Sequence, residues 1–335
     1  MGLFNIFKKK EEENTEKRPL LKSKTSIPNP RVRNAAASYT PWPDKKNSNT
    51  PFSNANFLNW ANGQTIPKDN DGYPRKMSYL YDIPQPLKKH RQMIQTGFLV
   101  HSTLAASLEK LRAQELKDIL TQNGKPTSGK KALLIQRILE SVDVTSLNIP
   151  DVYILSQKGV EFLEKYKYYL NLDRHLTDGE ITIPEFDTIK SAQPYLSQMD
   201  VIWKNLQQRD LVYFKKKNYG SLRNNELSRY RILMEENRIN DAAYHLLIVF
   251  YYDLSGMGNN GTICNFEDLS IAPGLIESLK EVKKFINSKT IHRIYDEVYV
   301  PFRYFEEGIF IQIISDILND KVDLSKFKNK ANFHR

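Results

Sequence analysis

Thr127-Ser128-Gly129-Lys130-Lys131 is a stretch whose residue types and spacing suit a defined chemistry. Two hydroxyl side chains, a glycine and two lysines stand directly before apolar positions at helical spacing: Ala132, Leu134, Ile135, Ile138 and Leu139. The first backbone N–H groups of a helix have no intrahelical acceptor, and the macrodipole adds partial positive charge there. Such an end suits a phosphate, and adjacent ammonium groups add to the attraction. Thr127 and Ser128 are candidate N-caps, and Gly129 permits close backbone approach. Lys117, Lys125 and Arg137 are candidates to extend the site. The alternative is a capped helix whose lysines are merely solvated, and the residues alone leave the two readings balanced.

Patterns for catalysis or metal binding are missing. The six histidines (His90, His101, His175, His245, His292, His334) form no HxH, HxxxH or HExxH spacing. The single cysteine, Cys264, excludes an intrachain disulfide and a multi-cysteine zinc site. It reads as an inert thiol, typical of a reducing compartment. SGMGNNG (255–261) has glycines without the lysine of a P-loop and reads as a loop. Asp296-Glu297 and Glu306-Glu307 are adjacent pairs, which diverge on a helix. Arg174, His175 and Asp178 read as surface polar groups near a helix end. The expectation is a non-enzymatic protein with no cofactor and no metal.

Two helices must hold the lysine-bearing connection. Leu108, Leu111, Leu116, Ile119 and Leu120 recur at helical spacing, and Asn123-Gly124 stops that run. Pro126 to Gly129 connect it to the second helix. Helices this short are marginal alone and must pack. Glu115-Leu116-Lys117, Gly124, Ser128 to Lys131, and Leu134, Ile135 and Arg137 follow one another at spacings that resemble the SAP motif. The resemblance implies a helix–extended loop–helix element over 108–141 that contacts duplex DNA, often A/T-rich, with little base readout. The DNA-binding residues it implies here are Lys117, Lys125, Thr127, Ser128, Gly129, Lys130, Lys131 and Arg137. Two positions depart: Lys125 replaces a usually apolar residue and Ala113 a usually larger one. Both are expected to thin the small core, and Lys125 could equally add a phosphate contact.

Charge agrees with a polyanion partner. The net charge is +10. Residues 1–100 carry 17 Lys/Arg against 8 Asp/Glu and residues 101–142 carry 7 against 4, whereas residues 143–335 carry 25 against 27. The basic character therefore belongs to the N-terminal part and the 106–142 segment. Nucleic acid is the favoured polyanion, with an anionic membrane as competitor. The membrane reading rests on MGLFNIFKKK, for which a frayed basic terminus is the plainer account. No stretch reaches the ~18–20 apolar residues of a span, and no export signal is read. A cytoplasmic protein is expected.

The rest of the chain divides by composition. Residues 1–56 read as a disordered basic arm, too polar to offset ordering entropy, and Trp42 and Trp60 stand out as candidate docking points. Residues 57–105 form a helix–strand lead-in, 106–142 the SAP-like element, 143–190 a strand–helix extension and 191–335 a helical domain. Lys88, Lys89, His90 and Arg91 are consecutive in the lead-in helix, so they spread around its axis, and a solvated helix is the default there. TGFLV (96–100) and the Y-x-L-S-x-K-G of residues 153–159 resemble pieces of bacterial winged-helix domains, which would set the SAP-like element within or against such a frame. Residues 222–254 resemble one tetratricopeptide-like helix pair, read either as a protein-binding scaffold or as a plain stabilising domain. The fold class expected is mainly α, with a disordered arm, an α(+β) head that resembles a winged helix and an all-α C-terminal domain. The function expected is a DNA-binding accessory protein, with a helical protein–protein scaffold as the alternative. Abundant Lys, Asn, Ile and Tyr resemble proteins of low-GC Gram-positive bacteria and their prophages.

Overall fold

The computed structural model describes residues 49–143, 147, 149–321 and 323–333. Most of the expected arm, with Trp42 and MGLFNIFKKK, lies outside these residues. The described chain forms two compact units, residues 49–205 and 206–333. The division falls inside one helix, Gln198–Lys215, rather than at 191.

The first described helix starts ahead of the boundary expected at 57. Helix α1 (Pro51–Ala61) starts where Thr50 Oγ1 accepts the Ser53 amide at 3.1 Å, with Pro51 at the first helical position. Phe52, Phe57 and Leu58 are buried along it. The Pro/Ser/Asn-rich composition around this helix hid three large apolar residues that lack helical periodicity.

The first unit continues through β1 (Gln64–Thr65), α2 (Lys76–Tyr79), α3 (Pro86–Gln95) and β2 (Leu99–His101). Three helices follow: α4 (Leu104–Glu109), α5 (Ala113–Gln122) and α6 (Lys131–Ser141). Then come β3 (Val152–Leu155), α7 (Gln157–Tyr166), α8 (Asp173–Thr177) and α9 (Ile183–Ala192). The strands form one antiparallel sheet in the order β1-β3-β2, with Thr65 opposite Val152 and His101 opposite Tyr153. Helix, strand, two helices, strand and strand in this pairing is winged-helix connectivity. Helices α4 to α6 stand where the wing hairpin between β2 and β3 would be. Their chain leaves and returns at one place, since the Ser102 amide donates to the Val152 carbonyl at 2.8 Å.

Local chemistry fixes this frame. Gly97, at φ 74°, ends α3: its amide donates to the Ile94 carbonyl and the Phe98 amide to the Met93 carbonyl, both at 2.9 Å. Ser156 caps α7, its Oγ accepting the Gly159 amide at 3.1 Å and donating to the Gly97 carbonyl at 2.6 Å. A Cβ on Gly159 would lie 2.3 Å from the Phe98 carbonyl oxygen, so only glycine lets α7 rest on that backbone. The serine and glycine of Y-x-L-S-x-K-G are thus both geometric requirements.

Helix α3 presents two faces. Lys89, His90 and Met93 are buried. Around His90 pack Phe57, Trp60, Tyr73 and Tyr153. Tyr73 Oη lies within hydrogen-bond distance of His90 Nδ1, at 3.0 Å, and burial pushes the Tyr73 hydroxyl up to about 12. Burial also pushes His90 down to about 4, from an ordinary 6.5. The unfolded chain therefore takes a proton that the folded site refuses. This contribution is present in full above about pH 6.5 and is lost progressively as pH falls toward 4, by on the order of 2–3 kcal/mol. Urea unfolding at about pH 7 and about pH 4.5 should show that loss, and His90→Gln should reduce the difference between the two. An unchanged difference would place the acid sensitivity elsewhere.

The second unit is all helical apart from short turns and a two-residue bridge. After α10 (Gln198–Lys215) come α11 (Tyr219–Glu235), α12 (Ile239–Ser255), α13 (Pro273–Glu281), α14 (Ser288–Glu297) and α15 (Glu307–Leu318). Helices α11 and α12 are the expected pair, joined by a turn with Asn237 at φ 57°. Residues 246–252 (LLIVFYY) are all buried, so α12 is apolar around its circumference because α11, α13 and α14 pack on it. Among the described residues no helix is long and apolar enough to cross a membrane.

Candidate nucleic-acid interface

Six fully or nearly buried side chains hold α4 to α6 together: Leu108, Leu116, Leu120, Leu134, Ile135 and Ile138. The apolar spacing expected of two helices is correct, but there are three. The run from 108 to 120 breaks at Lys110–Arg112, because Arg112 is extended (ψ 155°) and its amide donates to Glu115 Oε2 at 2.6 Å. That bond starts α5 afresh. Ala113 is the exposed first residue of α5, so its small side chain takes nothing from the core.

Helix α5 ends in a glycine turn. Gly124 sits at φ 64°, its amide donates to the Thr121 carbonyl at 3.0 Å, and the Lys125 amide donates to the Leu120 carbonyl at 2.8 Å. Lys125 is half-buried at this corner, so the departure from an apolar residue is accommodated without a buried charge. Helix α6 then starts at Lys131, past the positions that Thr127 or Ser128 would cap. Its N-cap is Lys130, which supplies no side-chain acceptor. Thr127 and Ser128 lie before the cap and are not N-caps. Among the described residues, nothing accepts from the amides of Lys131 and Ala132, while those of Leu133 and Leu134 reach the Lys130 carbonyl. Helix α6 therefore presents an uncapped, positively polarised end.

Around that end the predicted residues divide by role. Ser128, Gly129 and Lys130 are exposed, Thr127 and Lys117 half-buried. Gly129 has φ 123°, a conformation a side chain would strain, and a Cβ would meet Leu133 Cδ2 at 2.7 Å. Lys131 is drawn inward: its Nζ donates to the Glu109 carbonyl at 2.5 Å and lies 3.7 Å from Glu109 Oε2. Arg137 spans the connection, with Nη1 donating to the carbonyls of Pro126 and Ser128. The structure thus gives Lys131 and Arg137 positioning contacts and leaves Lys125 and Lys130 as cations with no hydrogen-bond or ion-pair partner among the described residues. Glu109, which sequence reasoning missed, carries no local signal, because it meets Lys131 only once α4 has broken from α5.

Residues 107–143 match the SAP domain family. The SAP domain is a DNA-binding motif, so the match supports a nucleic-acid-binding role at this place in the chain. Comparison of the chain with curated proteins and with solved structures returned no match. Within the SAP domain, removing the Arg137 clamp should loosen the 126–128 connection without removing a cation that reaches phosphate. Arg137→Ala is expected to weaken DNA binding several-fold, about 1 kcal/mol, while the slope of log affinity against log salt stays the same. A slope flatter by a full contact would make Arg137 a direct phosphate ligand.

Outside the SAP domain, polar side chains form internal clusters. His175 Nδ1 lies 2.5 Å from Glu180 Oε2, and both residues are buried, so the group read as surface polarity is an internal pair with Arg174 and Asp178 beside it. In the second unit Arg229 is buried between Asp210 and Glu226, and His245 Nδ1 approaches Glu226 at 2.5 Å. Burial works against the Glu226 carboxylate, but Arg229 and His245 hold it below the usual range. Burial, with Asp268, pushes the half-buried Cys264 thiol up and away from a thiolate. No group of three or more His, Cys, Asp or Glu that could hold a metal occurs among the described residues.

Proposed function

We propose that this is a non-enzymatic, cytoplasmic DNA-binding accessory protein, whose SAP domain contacts the phosphates of duplex DNA with little regard to sequence. The observation that carries this reading is the uncapped start of α6, inside the matched segment, flanked by Lys125 and Lys130 with no internal partner. Unpaired amides and cations together suit phosphate oxygens and offer nothing that distinguishes one base from another. The excess of Lys and Arg in residues 1–142 adds long-range attraction. The prophage or mobile-element origin rests on composition and on this architecture. A salt titration of the full chain against duplex DNA tests the reading. Log affinity should fall linearly with log salt, by ~0.9 for each phosphate contact, and salt-independent binding would refute it.

A second reading, a helical protein–protein scaffold, has one observation in its favour. Leu211, Phe214 and Tyr299 are largely exposed on the second unit, and the rings of Phe214 and Tyr299 are 6.2 Å apart. Capture of a defined protein partner by a chain that ignores DNA would favour it.

A further inference from the structure

We propose that the outer face of α10, with Tyr299 beside it, is a second nucleic-acid site, which holds single-stranded DNA by stacking its bases on two rings and neutralising its phosphates with lysines. The inference goes beyond the duplex contact of the SAP domain, and for the class of polymer it rests on the DNA-binding reading given above.

Gln207, Gln208, Leu211, Phe214 and Lys215 follow one another at helical spacing along α10, and all are exposed. Leu211 is 67% exposed, Phe214 49% and Tyr299 62%, in a unit that buries most of its other rings. The rings of Phe214 and Tyr299 meet at 69°, an edge-to-face contact that leaves ring surface of each open. Lys215, Lys216 and Lys217 follow Phe214 directly and are exposed, and among the described residues no hydrogen bond or ion pair engages their side chains. Residues 207–220 hold four basic residues and one acidic, Asp210, and that carboxylate is committed to Arg229 and Asn225. The corner that carries the lysines is braced. Lys217 lies at φ 55°, and the Asn218 amide donates to the Tyr213 carbonyl at 2.8 Å, which closes α10. The Lys217 carbonyl accepts the Gly261 amide at 2.8 Å, and Asn218 Oδ1 accepts the Asn260 amide at 3.1 Å.

The residue types choose the occupant. Lysines near a helix C-terminus offset its macrodipole, which accounts for the charge but not for the open rings beside it. A partner helix would cover an unbroken apolar stripe, whereas two glutamines and a lysine interrupt this one. Single-stranded DNA uses both halves of the patch: aromatic faces stack bases of any sequence, and cations follow the backbone. Leu211 and Val212 widen the apolar floor beside the rings. A duplex offers no base face away from its ends, because each base is already stacked on its neighbours, so the rings distinguish unpaired from paired strands. The chain therefore carries one contact for each form of DNA, which suits work where paired and unpaired strands meet.

The test is fluorescence anisotropy of the full chain with a labelled oligothymidylate, which forms no duplex with itself, in an excess of unlabelled duplex that occupies the SAP domain. F214A/Y299A should bind the oligothymidylate at least about tenfold more weakly, F214Y/Y299F should bind it as wild type does, and both should keep wild-type affinity for duplex. K215A/K216A/K217A should flatten the slope of log affinity against log salt by about 2, at ~0.7 for each phosphate on a single strand. All five positions are exposed, and an unchanged thermal midpoint verifies folding. K125A/K130A should keep the oligothymidylate while losing duplex. A wild type without affinity for the oligothymidylate, unchanged binding by F214A/Y299A, or a loss that K125A/K130A reproduces would overturn the proposal. So would tighter binding of an oligouridylate, or self-association or binding to anionic phospholipid vesicles that F214A/Y299A abolishes. Failure of K125A/K130A to weaken duplex binding would instead count against the SAP contact and leave the α10 result readable.

Discussion

Replacing Lys125 and Lys130 together by alanine is expected to weaken binding to every duplex alike and to flatten the salt dependence by close to 2. Each phosphate neutralised contributes ~0.9 to the slope of log affinity against log salt, through release of condensed counterions. Between about 50 and about 200 mM salt, the wild type should therefore lose roughly tenfold more affinity than the variant. These two lysines are chosen over Lys131 because of what the structure does with each. Lys131 donates to the Glu109 carbonyl, so its loss would disturb the packing of α4 on α6 and confuse the result. Lys125 and Lys130 have no such contact, and their removal should leave unfolding unaltered. Filter binding or fluorescence anisotropy across a salt series measures both quantities. A variant with wild-type slope would show that the start of α6 does not meet phosphate.

The difference between these lysines was not legible in the sequence. Composition and spacing placed Lys130 and Lys131 at one helix start and offered Lys125 as an extension of it. What separated them was a break in the first helix at Arg112, set by a bond between its amide and the Glu115 side chain. The i to i+3 spacing of Glu115 was visible, but the residue before Ala113 is an arginine, with no side-chain oxygen to mark a cap. Once the break exists, α4 turns Glu109 onto Lys131. Likewise Thr127 and Ser128 have the side chains of N-caps, yet Gly129 at φ 123° carries the chain on to Lys130 before the helix begins. Hydroxyls near a helix start are cap candidates, and backbone geometry decides among them.

The frame was legible in fragments. The glycine that ends α3 and the serine that starts α7 were readable because each solves a local problem of the backbone. The sheet joining them was not, because β1 has two residues and its partner lies far along the chain, with Thr65 opposite Val152. Pairing across such a separation leaves no periodic trace in so short a strand. Helix α1 was missed for a related reason: Phe52, Phe57 and Leu58 are a small minority within a polar stretch, and only their burial shows that they belong to the core.

Leu134→Ala should unfold the SAP domain while the frame that carries it stays folded. Leu134 is fully buried in a core of only six such side chains, drawn from α4, α5 and α6. Removing three carbons from a buried leucine costs roughly 2–5 kcal/mol, the larger values where the surroundings cannot collapse into the gap. Three helices of six to eleven residues have little else to hold them, since none is stable alone. The sheet has its own support: β2 and β3 pair directly, and the Ser102 amide meets the Val152 carbonyl at the point where the inserted helices leave and return. Loss of the insertion therefore removes a branch and leaves its base. Hydrogen exchange should show amides between 104 and 141 losing protection, while those of β2, β3 and α12 keep theirs. The salt-dependent part of DNA binding should disappear with that protection. Loss of protection in β2 and β3 as well would make the SAP domain a part of the frame's own core.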